Sequence, residues 1–79
     1  MVSDSVGTLG ILAGGGPLPG FLIEACRATG RSCFVVAFED HADASVVGAA
    51  PHAWVRLGAA AEAIDLLHTQ GVTDVVMAG

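Results

Sequence analysis

The chain has no lysine and no tyrosine, and three arginines are its only permanent cations against eight carboxylates. A formal net charge of −5 leaves no basic stripe to neutralise a phosphate backbone, which excludes nucleic acid as a partner. Without lysine there is also no Walker A loop to hold a triphosphate. Cysteine is scarce: Cys26 and Cys33 match neither a C-x-x-C redox pair nor a zinc knuckle, and read as buried, reduced thiols. His41, His52 and His68 are scattered without metal-ligand spacing and read as solvated side chains. No Lys or Arg precedes the first apolar run and Asp4 does, so no signal peptide is expected and the cytoplasm is the default compartment. Charge is absent from Ser5 to Ile23, but six glycines and two prolines there rule out a transmembrane segment, whose backbone must satisfy itself in lipid.

What is present is apolar. Hydrophobic residues make up 53% of the 79 positions, with mean hydropathy +0.68, a composition suited to a parallel sheet buried on both faces. A chain of this length makes at most one small domain, burying about 60% of its unfolded surface, so marginal stability is expected. Charged residues at 14% are few for a domain that must cover its own surface. Together with an apolar run, Val75 to Ala78, that ends in Gly79, this predicts that residues 1–79 are a fragment of an N-terminal Rossmann-like domain whose catalytic C-terminal domain is absent.

The organising stretch is Ile11-Leu12-Ala13-Gly14-Gly15-Gly16-Pro17-Leu18-Pro19, a strand that breaks into glycines and opens a helix. Unpaired N–H groups and partial positive charge at a helix N-terminus suit an anion, phosphate first. Gly14 and Gly16 fit the start of G-x-G-x-x-G, but Pro19 stands at the third glycine and Gly20 comes one residue late. Pro17 and Pro19 each remove a donor, so the loop is stiff and suits one or two phosphates better than three. Gly14, Gly15, Gly16, Pro17, Leu18 and Gly79 are the candidate ligand surface.

Taken in order, a polar lead-in over residues 1–7 precedes a first strand at Thr8 to Ala13. A helix follows at Pro19 to Thr29, whose Leu18, Phe21, Leu22, Ala25 and Cys26 form a core-facing stripe, with Glu24, Arg27 and Arg31 on the other side. Gly30 stops it. Cys33 to Phe38 is the second strand, ending in Glu39-Asp40 slightly beyond the position where a Rossmann domain places the acid that binds a ribose hydroxyl; a solvated loop acid explains Glu39 equally well. His41 to His52 is a loop with at most one turn of helix, and Trp54 to Leu57 a short third strand. A second long helix covers Ala59 to Gln70, with Ala60, Ala63, Ile64 and Leu67 inward, and Asp74 to Ala78 is the fourth strand. The order β-α-β-β-α-β predicts an α/β fold, a Rossmann-like doubly wound parallel sheet of strand order 3-2-1-4, with the Gly14 turn and Gly79 side by side at the switch point.

The segments Leu9-Gly10-Ile11-Leu12-Ala13-Gly14-Gly15-Gly16-Pro17-Leu18-Pro19, Phe34-Val35-Val36-Ala37, Trp54-Val55-Arg56-Leu57-Gly58 and Gly71-Val72-Thr73-Asp74-Val75-Val76-Met77-Ala78-Gly79, in that order, resemble the N-terminal part of the LpxI family, the UDP-2,3-diacylglucosamine pyrophosphatases of bacterial lipid A synthesis. The resemblance implies a magnesium-dependent hydrolase that releases UMP and the diacylglucosamine 1-phosphate from its substrate. It places the catalytic and metal-binding acids in the C-terminal half, so no catalytic or metal residue carries over to these positions and the chain alone is expected to be inactive. It also implies, as partners, the nucleotide-linked glycolipid and the protein's own C-terminal domain, with peripheral contact to the inner membrane; self-association is expected separately, from the edge and helix faces that a sheet cut at its fourth strand leaves exposed. Two other readings stay open on the residues alone: a nicotinamide-dinucleotide-binding half-domain, which Glu39 supports, and a non-catalytic nucleotide-binding module.

Overall fold

The computed structural model describes residues 7–56 and 58–79. Leu57, placed in the third strand from sequence, and residues 1–6 of the lead-in lie outside the described residues, as does the side chain of Ala60. The elements are β1 (Thr8–Ala13), α1 (Leu18–Thr29), β2 (Cys33–Phe38), α2 (Ala44–Val47), β3 (His52–Val55), α3 (Ala60–Thr69) and β4 (Val72–Ala78). All three pairings are parallel and the sheet order is β3-β2-β1-β4, the arrangement expected from the element order. Parallel neighbours need crossovers, and the helices supply them.

Alternation along the strands sorts the core into two layers. On one face Leu9, Ile11 and Ala13 of β1 and Val35 and Ala37 of β2 pack with Ile23 and Cys26 of α1 and Val47 of α2. On the other, Phe34, Val36 and Val55 pack with Ala63 and Leu67 of α3. Gly10 makes the second layer possible at β1: a Cβ there would sit 2.8 Å from both Leu67 Cδ2 and Val72 Cγ1, so the helix side chain occupies the notch a larger residue would fill.

Three expectations are corrected. The buried side of α1 is Pro19, Ile23 and Cys26, with Leu22 half-buried; Leu18, Phe21 and Ala25 face solvent, Phe21 at 67% exposure. The helix carries apolar residues around most of its circumference, so two stripes compete, and the one containing the fully buried Pro19 ring meets the sheet. In α3, Ala63 and Leu67 are buried but Ile64 is 54% exposed, on the wall of an open groove that Val72 and Val75 of β4 also line. Arg31 is not a solvated face residue: its Nε donates to Gly7 O at 3.0 Å and its Nη2 to Asp74 Oδ2 at 2.6 Å.

Boundaries shift by a residue or two elsewhere. β3 begins at His52, which therefore lies on a strand rather than in a loop, its Nδ1 2.8 Å from Ala50 O. β4 begins at Val72, directly after Gly71 at φ 71°. The single turn of helix in the long connection is α2, where Asp43 Oδ1 accepts from the Ser45 N–H at 2.9 Å and the Ser45 hydroxyl at 2.7 Å. That bonding holds the Asp43 carboxyl below its ordinary range.

Candidate functional site

The carboxyl ends of β1 and β4 meet where the strand order of the parallel sheet reverses, the place open α/β sheets offer to ligands. There the Gly14 N–H donates to Ala78 O at 2.8 Å, and the two glycine turns lie backbone against backbone. A Cβ on Gly14 would approach Gly79 O to 2.5 Å, and one on Gly79 would strike Gly15 O. Close approach, rather than conformational freedom alone, thus demands glycine at both positions. Gly16 is different: it is exposed, has φ 84° and open space around it, and serves the turn's left-handed geometry.

The helix that leaves this turn begins without a cap. Pro17 occupies the N-cap position at φ −85°, no side chain caps the first turn, and no acid lies within it. Phe21 N–H, bonded to Pro17 O at 3.2 Å, makes the first helical bond. Gly14 spends its amide on β4, and Pro17 and Pro19 have none. The N–H groups of Gly15, Gly16, Leu18 and Gly20 have no partner among the described residues. Four unpaired donors at a positive helix end, with no carboxylate in the turn to compete, can accept an anion.

Beside the turn lies a crevice of about 130 Å³ lined by Leu12, Gly14, Phe38, His41, Met77, Ala78 and Gly79. His41 reaches it through a tight reversal after β2, where Asp40 takes φ 70° and the His41 N–H donates to Phe38 O at 3.1 Å. The reversal brings the His41 carbonyl to 3.1 Å from where a Gly15 Cβ would be. His41 is exposed, as expected, yet belongs to the site, which the sequence reading missed; the signal was the Glu39-Asp40 pair, since Asp tolerates the left-handed conformation that a chain reversal needs. Glu39 is exposed at the end of β2, its N–H bonded to Val55 O at 2.9 Å, and does not line the crevice. Pro17 and Leu18 are exposed and, like Gly15 and Gly16, do not line the crevice.

Among the described residues no group of three His, Cys, Asp or Glu side chains is placed to hold a metal ion. Both thiols are free: Cys26 is buried and Cys33 half-buried, and burial together with the neighbouring Cys26 thiol pushes the Cys33 thiol above its ordinary value. No helix among the described residues is long and apolar enough to cross a membrane. The face of the sheet that carries α3 has a larger apolar groove, about 410 Å³, between Leu12, Phe38, Ile64, Leu67, Val72 and Val75.

Residues 8–79 match the profile of the LpxI N-terminal domain. The chain belongs to the LpxI family. The match begins at the first residue of β1 and takes in every strand and helix, so the glycine turn of this LpxI domain and its contact with the end of β4 lie wholly within the matched region. No curated protein matches the chain significantly.

Proposed function

We propose that this LpxI domain is the N-terminal, nucleotide-binding part of a lipid A pathway hydrolase that cleaves the pyrophosphate of UDP-2,3-diacylglucosamine to UMP and 2,3-diacylglucosamine 1-phosphate. The observation that carries the binding role is the uncapped start of α1, with four unpaired amides at Gly15, Gly16, Leu18 and Gly20 facing no acid of their own turn. Binding there would hold one end of the pyrophosphate by hydrogen bonds and helix polarity, with no lysine involved. The reaction and substrate rest on family membership. The magnesium that the family implies has no set of three ligands among the described residues; the family resemblance places metal binding and water activation in another part of the protein, and on that reading the chain alone is expected to be inactive. The reading also assigns the protein to the cytoplasm, at the inner membrane surface where its glycolipid substrate resides.

The test is titration of the chain with UMP and with NAD, alongside Gly15→Val. Gly15 has no positive φ, and a Cβ there would sit 3.1 Å from the His41 carbonyl, tighter than an ordinary contact, so the variant loses binding with its fold kept if Gly15 serves the ligand and unfolds if Gly15 serves only the turn; circular dichroism tells these apart. Weak UMP binding that Gly15→Val abolishes, with an unchanged circular dichroism spectrum, is expected; the net charge of −5 keeps the affinity low. Tight NAD binding with no response to UMP would establish the dinucleotide half-domain instead. Magnesium-dependent UMP release by the chain alone would refute the assignment of catalysis elsewhere.

A further inference from the structure

We propose that Cys26 and Cys33 are a dithiol that closes to an internal disulfide when a small disulfide oxidant of the glutathione class reaches Cys33, stapling the end of α1 to the start of β2. Their spacing in the sequence matches no redox motif, and it is the fold that brings them together, by two independent routes. Alternation along β2 puts Cys33 on the same face as Val35 and Ala37, the face that α1 covers, and Cys33 packs against the core layer that contains Cys26. The end of the helix supplies the second route. Gly30, left-handed at φ 75°, turns the chain so that the Arg31 N–H donates to the carbonyl of Cys26 itself at 2.9 Å, and β2 begins almost at once. Both thiols then line one crevice of about 240 Å³, together with Ile23, Arg27, Arg31 and Pro51.

Exposure sets the order of events. Cys26 is 5% exposed and out of reach of a reagent in solution, while Cys33 is half-buried in the crevice wall. Burial and the Cys26 thiol raise the Cys33 pKa and Arg27 draws it the other way, while the other cation of the crevice, Arg31, is engaged by Asp74. Thiolate is therefore scarce near neutral pH, and the first step is slow and faster in mild alkali. In that step the Cys33 thiolate, its proton lost to solvent, attacks one sulfur of oxidised glutathione, forming a mixed disulfide and releasing one glutathione thiolate, which takes up a proton. Cys26 then loses its own proton and attacks the Cys33 sulfur, which forms the protein disulfide and expels the second glutathione. Two protein thiols are oxidised, and one glutathione disulfide is reduced to two thiols. Burial of Cys26 shuts out the reagent but not its neighbour, so only the second, internal step is open to it.

The experiment incubates the full chain in glutathione buffers of increasing oxidised fraction, then denatures it, blocks the remaining thiols with iodoacetamide and measures its intact mass. The expected product is a monomer lighter than the reduced chain by about 2 Da, the two thiol hydrogens, with no glutathione and no alkyl group attached. Its melting temperature should rise by about 10 °C, since the closed loop restrains the unfolded chain. Cys26→Ala, checked for folding by circular dichroism, should stop at the mixed disulfide on Cys33, and Cys33→Ala should stay unmodified. A wild-type chain that keeps glutathione on Cys33, links to a second copy, or stays reduced in fully oxidised buffer would overturn the proposal, as would an oxidised chain that melts no higher than the reduced one. Glutathione on Cys26 in Cys33→Ala would overturn the order of attack.

Discussion

Arg31 Nη2 lies 2.6 Å from Asp74 Oδ2, across a separation of 43 residues, and joins the end of the first crossover to the fourth strand. The same guanidinium donates to Gly7 O, so one side chain ties together the amino ends of β1 and β4. The pair is partly exposed, with side-chain accessibilities of 25% and 66%, which limits its electrostatic contribution to about 0.5–1 kcal/mol. Arg31→Ala should therefore destabilise more than Asp74→Asn, because it also removes the bond to Gly7. A urea-denaturation double-mutant cycle should give a coupling no larger than about 1 kcal/mol, shrinking in high salt. Equal losses from the two single variants would show that the Gly7 bond contributes nothing.

The glycines of the turn should respond differently to alanine. Gly14→Ala drives a methyl group against the Gly79 carbonyl and should cost about 1–3 kcal/mol by forcing β1 and β4 apart at their ends. Gly16→Ala meets no atom but must hold φ 84°, a cost of about 1–2 kcal/mol. Thermal unfolding measures both totals. Hydrogen-exchange protection of the amide at position 14, bonded to Ala78 O, separates them: it should fall in Gly14→Ala and be kept in Gly16→Ala.

The strands and their order were legible because each is a short apolar run bounded by glycine or charge, and the alternation of strands and helices admits few windings. The turn was legible for the same reason: consecutive glycines between a strand and a helix have few other uses. The inward side of α1 was not. Cys26 and Leu22 of the expected stripe do turn inward, but Leu18, Phe21 and Ala25 are as apolar as Pro19 and Ile23, and spacing alone cannot choose between them on a helix that is apolar around most of its surface. Nor was the role of His41, whose placement depends on a single left-handed residue, Asp40, that turns the chain back toward Gly15. Arg31 was misplaced because its partner on β4 is reached only after the sheet is assembled.

Acid should loosen α2. Asp43 accepts two hydrogen bonds from Ser45 as a carboxylate, which lowers its folded-state pKa below the unfolded value. A lowered value means that the cap's contribution is present above the ordinary carboxylate pKa and is lost as pH falls through the folded-state one. The Ser45 amide resonance should titrate upfield in that acidic window. In Asp43→Asn the acid-dependent step should vanish while the cap itself largely survives, since asparagine also caps.

Alkylation should single out Cys33, and slowly. Its half-buried thiol has a raised pKa, so little thiolate exists near neutral pH, while Cys26 is buried. Intact-mass measurement with iodoacetamide should show one adduct, at Cys33, forming faster only as pH rises above the ordinary thiol range. By linkage the folded state should lose stability over that same alkaline window, because the unfolded chain releases the proton first. Rapid double alkylation at neutral pH would show the helix end to be open.

The register of β1 sets the order of assembly. Leu9 pairs with Cys33 on one side and with Asp74 on the other, so the first strand is flanked by the second and by the fourth. As the chain leaves the ribosome, β1 can acquire β2 early, but its second edge stays bare until β4, more than 60 residues further along, has emerged. Sheets closed by such distant partners form slowly. The glycine turn inherits this delay: Gly14 cannot find the Ala78 carbonyl until synthesis has passed it, so the turn and the end of β4 should reach their final geometry together, in one step.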